Sequence, residues 1–216
     1  MRSREIEDYK KGLKLSETQR EILVGVLLGD AHLETRNGRT YRVKIEQSEK
    51  HKGYVEHLFK VFEVWARTPP QEKVTKRGNS ICRKFWFQTL SHSSFRFYAQ
   101  QFYQGKRKRV PKLLHKWLSA RGLAYWYMDD GSFNSKESKA VILNTHAFDE
   151  REVAQLCKLL QALFSLDSRP RKQKDGIQIF ISGRSYERFK DLVQPYLLEE
   201  FQYKLPKARI TKLPKE

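Results

Sequence analysis

Residues 23–31, Leu-Val-Gly-Val-Leu-Leu-Gly-Asp-Ala, and residues 123–131, Leu-Ala-Tyr-Trp-Tyr-Met-Asp-Asp-Gly, stand 100 positions apart and share one pattern. Each is an apolar stretch that closes on an acid, Asp30 or Asp130, and then gives way to strand-like sequence. A carboxylate at a helix C-terminus faces the negative end of the helix dipole and costs about 0.3–1 kcal/mol when exposed. Gly25 and Gly29 lie four apart on the first helix, and each mid-helix glycine costs about 1 kcal/mol relative to alanine. Close approach of another backbone is the natural compensation. Packing through Gly25, Gly29 and Ala124 would bring both carboxylates to one end, where their repulsion calls for a cation. Hard oxygen ligands with no histidine or cysteine cluster nearby suit Mg²⁺, which keeps its waters and takes phosphate oxygens.

Working outward, Ser16 or Thr18 can cap a helix whose apolar positions Ile22, Leu23, Val26 and Leu27 keep a 3.6-residue period. Residues 40–47 alternate after an Asn37-Gly38 turn signal and predict a hairpin. Residues 51–66 return to helical spacing through Val55, Leu58, Phe59, Phe62 and Trp65, stopped by Pro69-Pro70. A hairpin over 72–76 and 81–90 turns at Gly78-Asn79, and a helix over 91–103 follows. After the basic stretch 105–111, the order resumes with a helix to Met128, a strand over 139–145 and a helix over 149–164. A hairpin over 167–182, turning at Asp175-Gly176, and a helix over 185–197 complete it. Helix, hairpin, helix, hairpin, helix occurs twice, which predicts an internal duplication with pseudo-two-fold symmetry. The expected divisions are an N-terminal half over 1–104, a basic linker and entry helix over 105–120, and a C-terminal half with a basic tail over 121–216.

The formal net charge of +18 in 216 residues requires a polyanionic partner. With 39% hydrophobic and 31% charged residues, the chain has a globular composition rather than that of a disordered basic tail. Cys82 and Cys157 form no CxxC pair, so zinc ribbons and disulfide frameworks are excluded. No stretch has the length and apolarity of a signal or membrane-spanning segment. The six histidines lack the spacing of a zinc site or an HNH nuclease.

Nucleic-acid binding follows from strand parity. Arg42, Lys44 and Glu46 share one face, while Val43 and Ile45 point to the other. Basic residues recur in the other hairpins: Lys73, Arg77, Arg83, Lys136, Lys139, Arg169, Arg171, Lys172 and Lys174. Arginine can read guanine, and Gln47, Gln88, Gln173 and Gln178 can read adenine. Residues 106–116 carry six basic and no acidic side chains, among them Lys106, Arg107 and Arg109, and are placed to clamp phosphates.

Two apolar helices each ending in aspartate, together with Leu143-Asn-Thr145 and Tyr203-Lys-Leu-Pro206, resemble the LAGLIDADG homing endonucleases of the single-chain, two-motif type. The resemblance runs from about residue 21 to 206. It implies an α+β fold, a pseudo-two-fold duplication of αββαββα. In it the motif helices form the interface and antiparallel sheets make a DNA-binding saddle. It further implies that Asp30 and Asp130 hold Mg²⁺, replaceable by Mn²⁺, with the backbone carbonyls of Ala31 and Asp129. Lys108 and Lys204 match the family's active-site lysines, and Glu46 and Asn144 its solvent-ordering strand residues. The sequence departs from the motif at Leu28 and Met128, which replace its first acid. Tyr125 and Asp129 likewise stand where glycine and alanine are usual.

The implied function is a site-specific, monomeric double-strand DNA endonuclease of intron homing, leaving short 3′ overhangs. An organelle or a bacterial cytoplasm is the expected setting, with the chain's own intron RNA as a further partner. The alternative within the fold is an RNA maturase or DNA-binding protein without cleavage. A second alternative is a D…ExK nuclease site made by Asp130, Glu137 and Lys139.

Overall fold

The computed structural model describes residues 3–78, 80–135 and 137–206. Lys136, the Arg77 side chain and the basic tail beyond residue 206 lie outside the described residues. The chain divides into two compact units, Met1–Gly122 and Leu123–Glu216.

In the first unit, helix α1 (Ser3–Lys11) precedes the duplicated elements. Its apolar face is only Ile6 and Tyr9, too short to announce it; ion pairs Glu7–Lys10 and Asp8–Lys11, at 2.8 and 2.7 Å, match helical i,i+3 spacing. Helix α2 (Glu17–Leu28) starts at Ser16, whose hydroxyl accepts from the Gln19 backbone while the Gln19 side chain accepts from Ser16 N–H. The same Gln19 side chain donates to the Val61 carbonyl and accepts from the Trp65 indole. The cap thereby ties the helix to the fully buried Trp65. Residues 22–28 of α2 are buried on every side, as expected of a helix apolar all round.

Strands β1 (His32–Glu34), β2 (Arg42–Ser48), β3 (Gln71–Arg77) and β4 (Ser80–Gln88) form an antiparallel sheet in the order β1-β2-β4-β3. Helix α3 (Lys52–Val61) crosses between the hairpins. It stops earlier than its apolar spacing predicts, because Phe62 leaves helical geometry (φ −106°, ψ 20°) and residues 63–65 tighten into a 3-10 turn. Helix α4 (Ser94–Phe102) leads into a two-stranded ribbon, β5 (Tyr103–Gln104) and β6 (Arg107–Lys108). Gly105, at φ +62°, permits its turn. The stretch expected as a linker is thus folded within the first unit.

The second unit repeats the plan. Helix α5 (Ala120–Asp130) leads to β7 (Gly131–Ser135) and β8 (Ser138–Asn144); α6 (Glu150–Phe164), β9 (Ser168–Gln173), β10 (Gly176–Ile181) and α7 (Tyr186–Val193) follow. Sheet order is β7-β8-β10-β9. Asp149 and Glu152 form the reciprocal cap of α6. Leu33 pairs with Val43 as Phe133 pairs with Val141, and Ile45 pairs with Phe87 as Leu143 pairs with Ile179. This register equates Glu46 with Asn144, Gln47 with Thr145 and Trp86 with Gln178; Asn134, one residue past Phe133 as Glu34 is one past Leu33, takes the place of Glu34 where the β7–β8 pairing shifts register between Phe133 and Ser135.

The two motif helices end differently. Gly29 terminates α2, and the Ala31 N–H turns back to the Val26 carbonyl at 2.9 Å. Helix α5 instead runs through Asp130, and Gly131 opens the next strand. A Cβ on Gly131 would overlap both the ring and the carbonyl of Tyr127. Tyr127 cannot yield: it is fully buried against Phe189, and its hydroxyl donates to the Lys204 carbonyl at 2.6 Å. Gly131→Ala is therefore expected to lower stability by about 1–3 kcal/mol in thermal unfolding; an unchanged melting temperature would contradict this packing.

Candidate functional site

In the first unit the site is built from the end of α2, strand β2 and ribbon strand β6. Asp30 is exposed just past the helix end. The Gln47 amide donates to Asp30 Oδ2 at 2.8 Å. Lys108 reaches from β6 so that Nζ donates to the Gly29 carbonyl at 2.6 Å and the Ala31 carbonyl at 3.1 Å. The last carbonyls of a helix have no intrahelical donor, and a cation there meets both their hydrogen-bonding need and the dipole's negative end.

The second unit makes the same arrangement from different parts. Lys204, in the 3-10 segment after α7, is buried, and its Nζ donates to the carbonyls of Met128 (2.5 Å) and Asp129 (3.3 Å). The Phe201 ring lies 5.2 Å below the ammonium. Burial, with Tyr186 and Tyr203 adding to it, pushes the Tyr127 phenol far above its ordinary value, so it stays a neutral donor to the Lys204 carbonyl. Asp130, half-buried, ends the same helix. Each unit thus brings an aspartate and a lysine ammonium to the C-terminal end of its motif helix.

The oxygen donors suit a hard cation. In each unit two carbonyl oxygens converge on one positive charge, the lysine ammonium, beside a carboxylate-bearing residue. The Ala31 and Asp129 carbonyls expected as metal contacts accept from lysine here. Among the described residues, no three histidine, cysteine, aspartate or glutamate side chains gather as a ready-made metal cage. Within each unit the carboxylate at the helix end, Asp30 or Asp130, is an oxygen donor of the kind a hard cation takes together with water and phosphate oxygens.

Strand parity assigns the remaining candidates. Lys44, Glu46, Trp86, Lys73 and Lys84 share the outer face of the first sheet with Arg42 and Glu34. Glu34 pairs with Arg42 at 2.7 Å and Lys44 at 3.5 Å; Glu46 pairs with Lys84 at 2.8 Å and Lys73 at 3.5 Å. The Lys84 hydrogen bond holds the Glu46 carboxyl below its ordinary value, against the effect of burial. Burial raises the Glu34 carboxyl, but hydrogen bonds from Arg42 and His32, with Lys44 nearby, leave it lowered overall. Both are therefore ionised at neutral pH, and the stability they contribute is lost as acid titrates them through those lowered values.

Several candidates stand elsewhere than the sequence led one to expect. Gln47, expected to read bases, shares the parity of buried Val43 and Ile45 and so reaches Asp30. Glu46, expected at the catalytic centre, is instead ion-paired on the outer face. Its counterpart Asn144 accepts from Gln178 at 2.6 Å, which in turn accepts from Arg171. Arg83 falls on the opposite face and pairs with Glu72. Lys139 pairs with Glu187 at 2.6 Å and lies over Tyr186 on α7, which also engages the lysine of the alternative D…ExK cluster. Lys172 points to the α6 side and pairs with Glu150. Arg109 donates to the Gln100 and Gln101 carbonyls at the end of α4, a helix-capping contact. Arg169 and Arg171 do lie on the outer face, both over the Phe180 ring. Lys106, Arg107 and Lys174 are exposed at turns or edges.

The family model described as the LAGLIDADG DNA endonuclease family matches residues 20–189. A probable intron-encoded endonuclease 1 of Wickerhamomyces canadensis is 34% identical over 212 residues, 94% of this chain and 90% of the relative. DNA endonuclease I-ChuI of Chlamydomonas applanata is 28% identical over 210 residues, 89% of this chain and 96% of the relative. Among solved structures, the homing endonuclease I-WcaI bound to its DNA recognition sequence aligns with a TM-score of 0.89 at 31% identity, covering 95% of this chain and 94% of that one.

Lys204→Met keeps the stem but removes the donor from the Met128 and Asp129 carbonyls. The variant should lose about 1–3 kcal/mol in denaturant unfolding; a wild-type midpoint would contradict the helix-end role.

Proposed function

This chain belongs to the LAGLIDADG DNA endonuclease family, and from that premise we propose that it makes a site-specific double-strand break in DNA in the service of intron homing. The observation that carries the proposal is the recurrence, in both units, of an aspartate and a lysine ammonium at the end of the motif helix. Two half-sites in one chain match the two strands of a duplex, so a monomer suffices.

Asp30 serves one scissile phosphate and Asp130 the other, across the minor groove, and the cuts leave short 3′ overhangs. The Gln47 amide fixes the Asp30 carboxylate, so its oxygens face the phosphate in one orientation. Lys108 and Lys204 place a positive charge beside the site, where it steadies the phosphate and favours deprotonation of the attacking water. Divalent cations, which we take to be Mg²⁺ with Mn²⁺ as a substitute, would be held by Asp30 in the first unit and Asp130 in the second and would supply Lewis acidity to water and leaving oxygen. The outer sheet faces, with Arg42, Lys44, Lys73, Arg169 and Arg171, contact the DNA.

The net charge of +18 supplies the long-range attraction, so affinity should fall steeply with salt. An intron RNA partner and a maturase role are the second reading. Retention of both acids and both lysines supports cleavage over that reading.

Asp30→Asn and Asp130→Asn should each abolish double-strand cleavage of a selected target while binding persists, and a chelator should stop the wild-type reaction. Target binding by the wild-type chain without cleavage in Mg²⁺ or Mn²⁺ would replace the nuclease with the maturase reading. Gln47→Ala should slow cleavage about 10–100-fold, the usual cost of losing a residue that orients a ligand; a wild-type rate would remove Gln47 from the site.

A further inference from the structure

The duplicated register places acids in one sheet where the other has amides. Glu34 and Glu46 of the first unit correspond to Asn134 and Asn144 of the second. The consequences for neighbouring cations are opposite. In the first unit Glu34 engages Arg42 and Lys44, and Glu46 engages Lys84 and Lys73, so two carboxylates hold four cations on the outer face. In the second unit, Asn134 accepts from Arg171 at 2.6 Å and Gln178 accepts from it at 3.1 Å, while Arg169 rests on Phe180. These groups orient the arginines without neutralising them.

Resting on the proposal that the outer faces meet DNA, we infer that Glu34 and Glu46 are specificity-determining residues. They withhold four cations from the phosphates of non-target DNA, and on the target they accept the amino groups of cytosines in the major groove. A carboxylate on a DNA-binding face costs non-specific affinity twice, by repelling phosphates and by occupying the cations that would neutralise them. That cost falls on every sequence alike. The return comes where a cytosine N4 donor meets a carboxylate oxygen, a pairing that phosphates cannot offer. Discrimination by a repulsive element offset in the correct complex is a general route to specificity. The first unit is thus the discriminating half, and the second, with neutral amides, binds more tolerantly.

Equilibrium binding of a random-sequence duplex tests this with the full chain: wild type, Glu34→Gln/Glu46→Gln, Glu72→Gln and Asn134→Asp. Glu72 pairs with Arg83 on the opposite face, so its substitution is the control for a lost carboxylate away from the DNA. The double variant should bind random duplex on the order of 10-fold more tightly, with a salt slope steeper by about 0.9 for each additional phosphate neutralised. Glu72→Gln should bind within about twofold of wild type, and Asn134→Asp, which sets a carboxylate against Arg171, should bind more weakly than wild type. Misfolding cannot produce the rise in affinity, and a wild-type melting temperature for Asn134→Asp excludes it as the cause of the fall.

Selection from randomised duplexes should then show C·G preferences for wild type that the double variant has lost. An equal rise in affinity for Glu72→Gln would reduce the effect to net charge and overturn the inference. An unchanged affinity of the double variant, or an unchanged base preference, would overturn it while DNA binding by wild type left the functional proposal standing. Absence of DNA binding by every protein would overturn both.

Discussion

A lysine ammonium seated on the carbonyl end of an apolar helix is the contact from which the rest of each unit's site follows. A helix that ends next to an aspartate concentrates negative potential: the dipole's negative end, unpaired carbonyls and a carboxylate within a few residues. Lys108 and Lys204 answer that potential with hydrogen bonds to Gly29, Ala31, Met128 and Asp129. Lys108 is carried by the ribbon 103–108 and Lys204 by the segment 199–204. Each brings one lysine to one helix end. The same geometry that stabilises the helix places a positive charge beside each aspartate, which is what the proposed phosphodiester cleavage requires.

The duplication preserved this contact while letting its supports diverge. Gly131 is required because the Tyr127 ring occupies the space of a Cβ, whereas Ala31 fits because α2 ends two residues sooner. Gln47 orients Asp30, while its counterpart Thr145 is buried and donates to the Ile177 carbonyl. The outer faces diverged further, to ion-paired carboxylates in one unit and an amide–arginine network in the other. An asymmetric pair of faces is the chemistry suited to an asymmetric DNA target.

The duplicated helices, hairpins and their twofold recurrence were legible in the sequence because cap, turn residues and apolar period agreed: Ser16 ahead of the first apolar run, Gly78 and Gly176 at turns. Both aspartates were legible as helix ends. What was not legible depends on contacts far apart in the chain. α1 offers only Ile6 and Tyr9 as an apolar face, and the contact that ties it down is remote, the Tyr9 hydroxyl donating to the Val64 carbonyl. Arg83, Lys139, Lys172 and Arg109 read as DNA ligands by composition, yet each finds a partner on another element. The signal for Gln47 was present in strand parity, since it alternates with Val43 and Ile45 rather than with Glu46. Applied residue by residue, that parity separates the outer-face set, Arg42, Lys44 and Glu46, from Gln47, which turns towards Asp30.

The central claim is that one chain carries two complementary half-sites, one for each DNA strand. Strand-resolved single-turnover cleavage of a selected duplex, with the two strands labelled differently and the protein varied in excess over DNA, tests it most directly. Both strands should be cut in the presence of Mg²⁺, with offset ends and a rate that saturates once each duplex holds one chain. Cutting of a single strand, or a rate that needs a second chain per duplex, would contradict it.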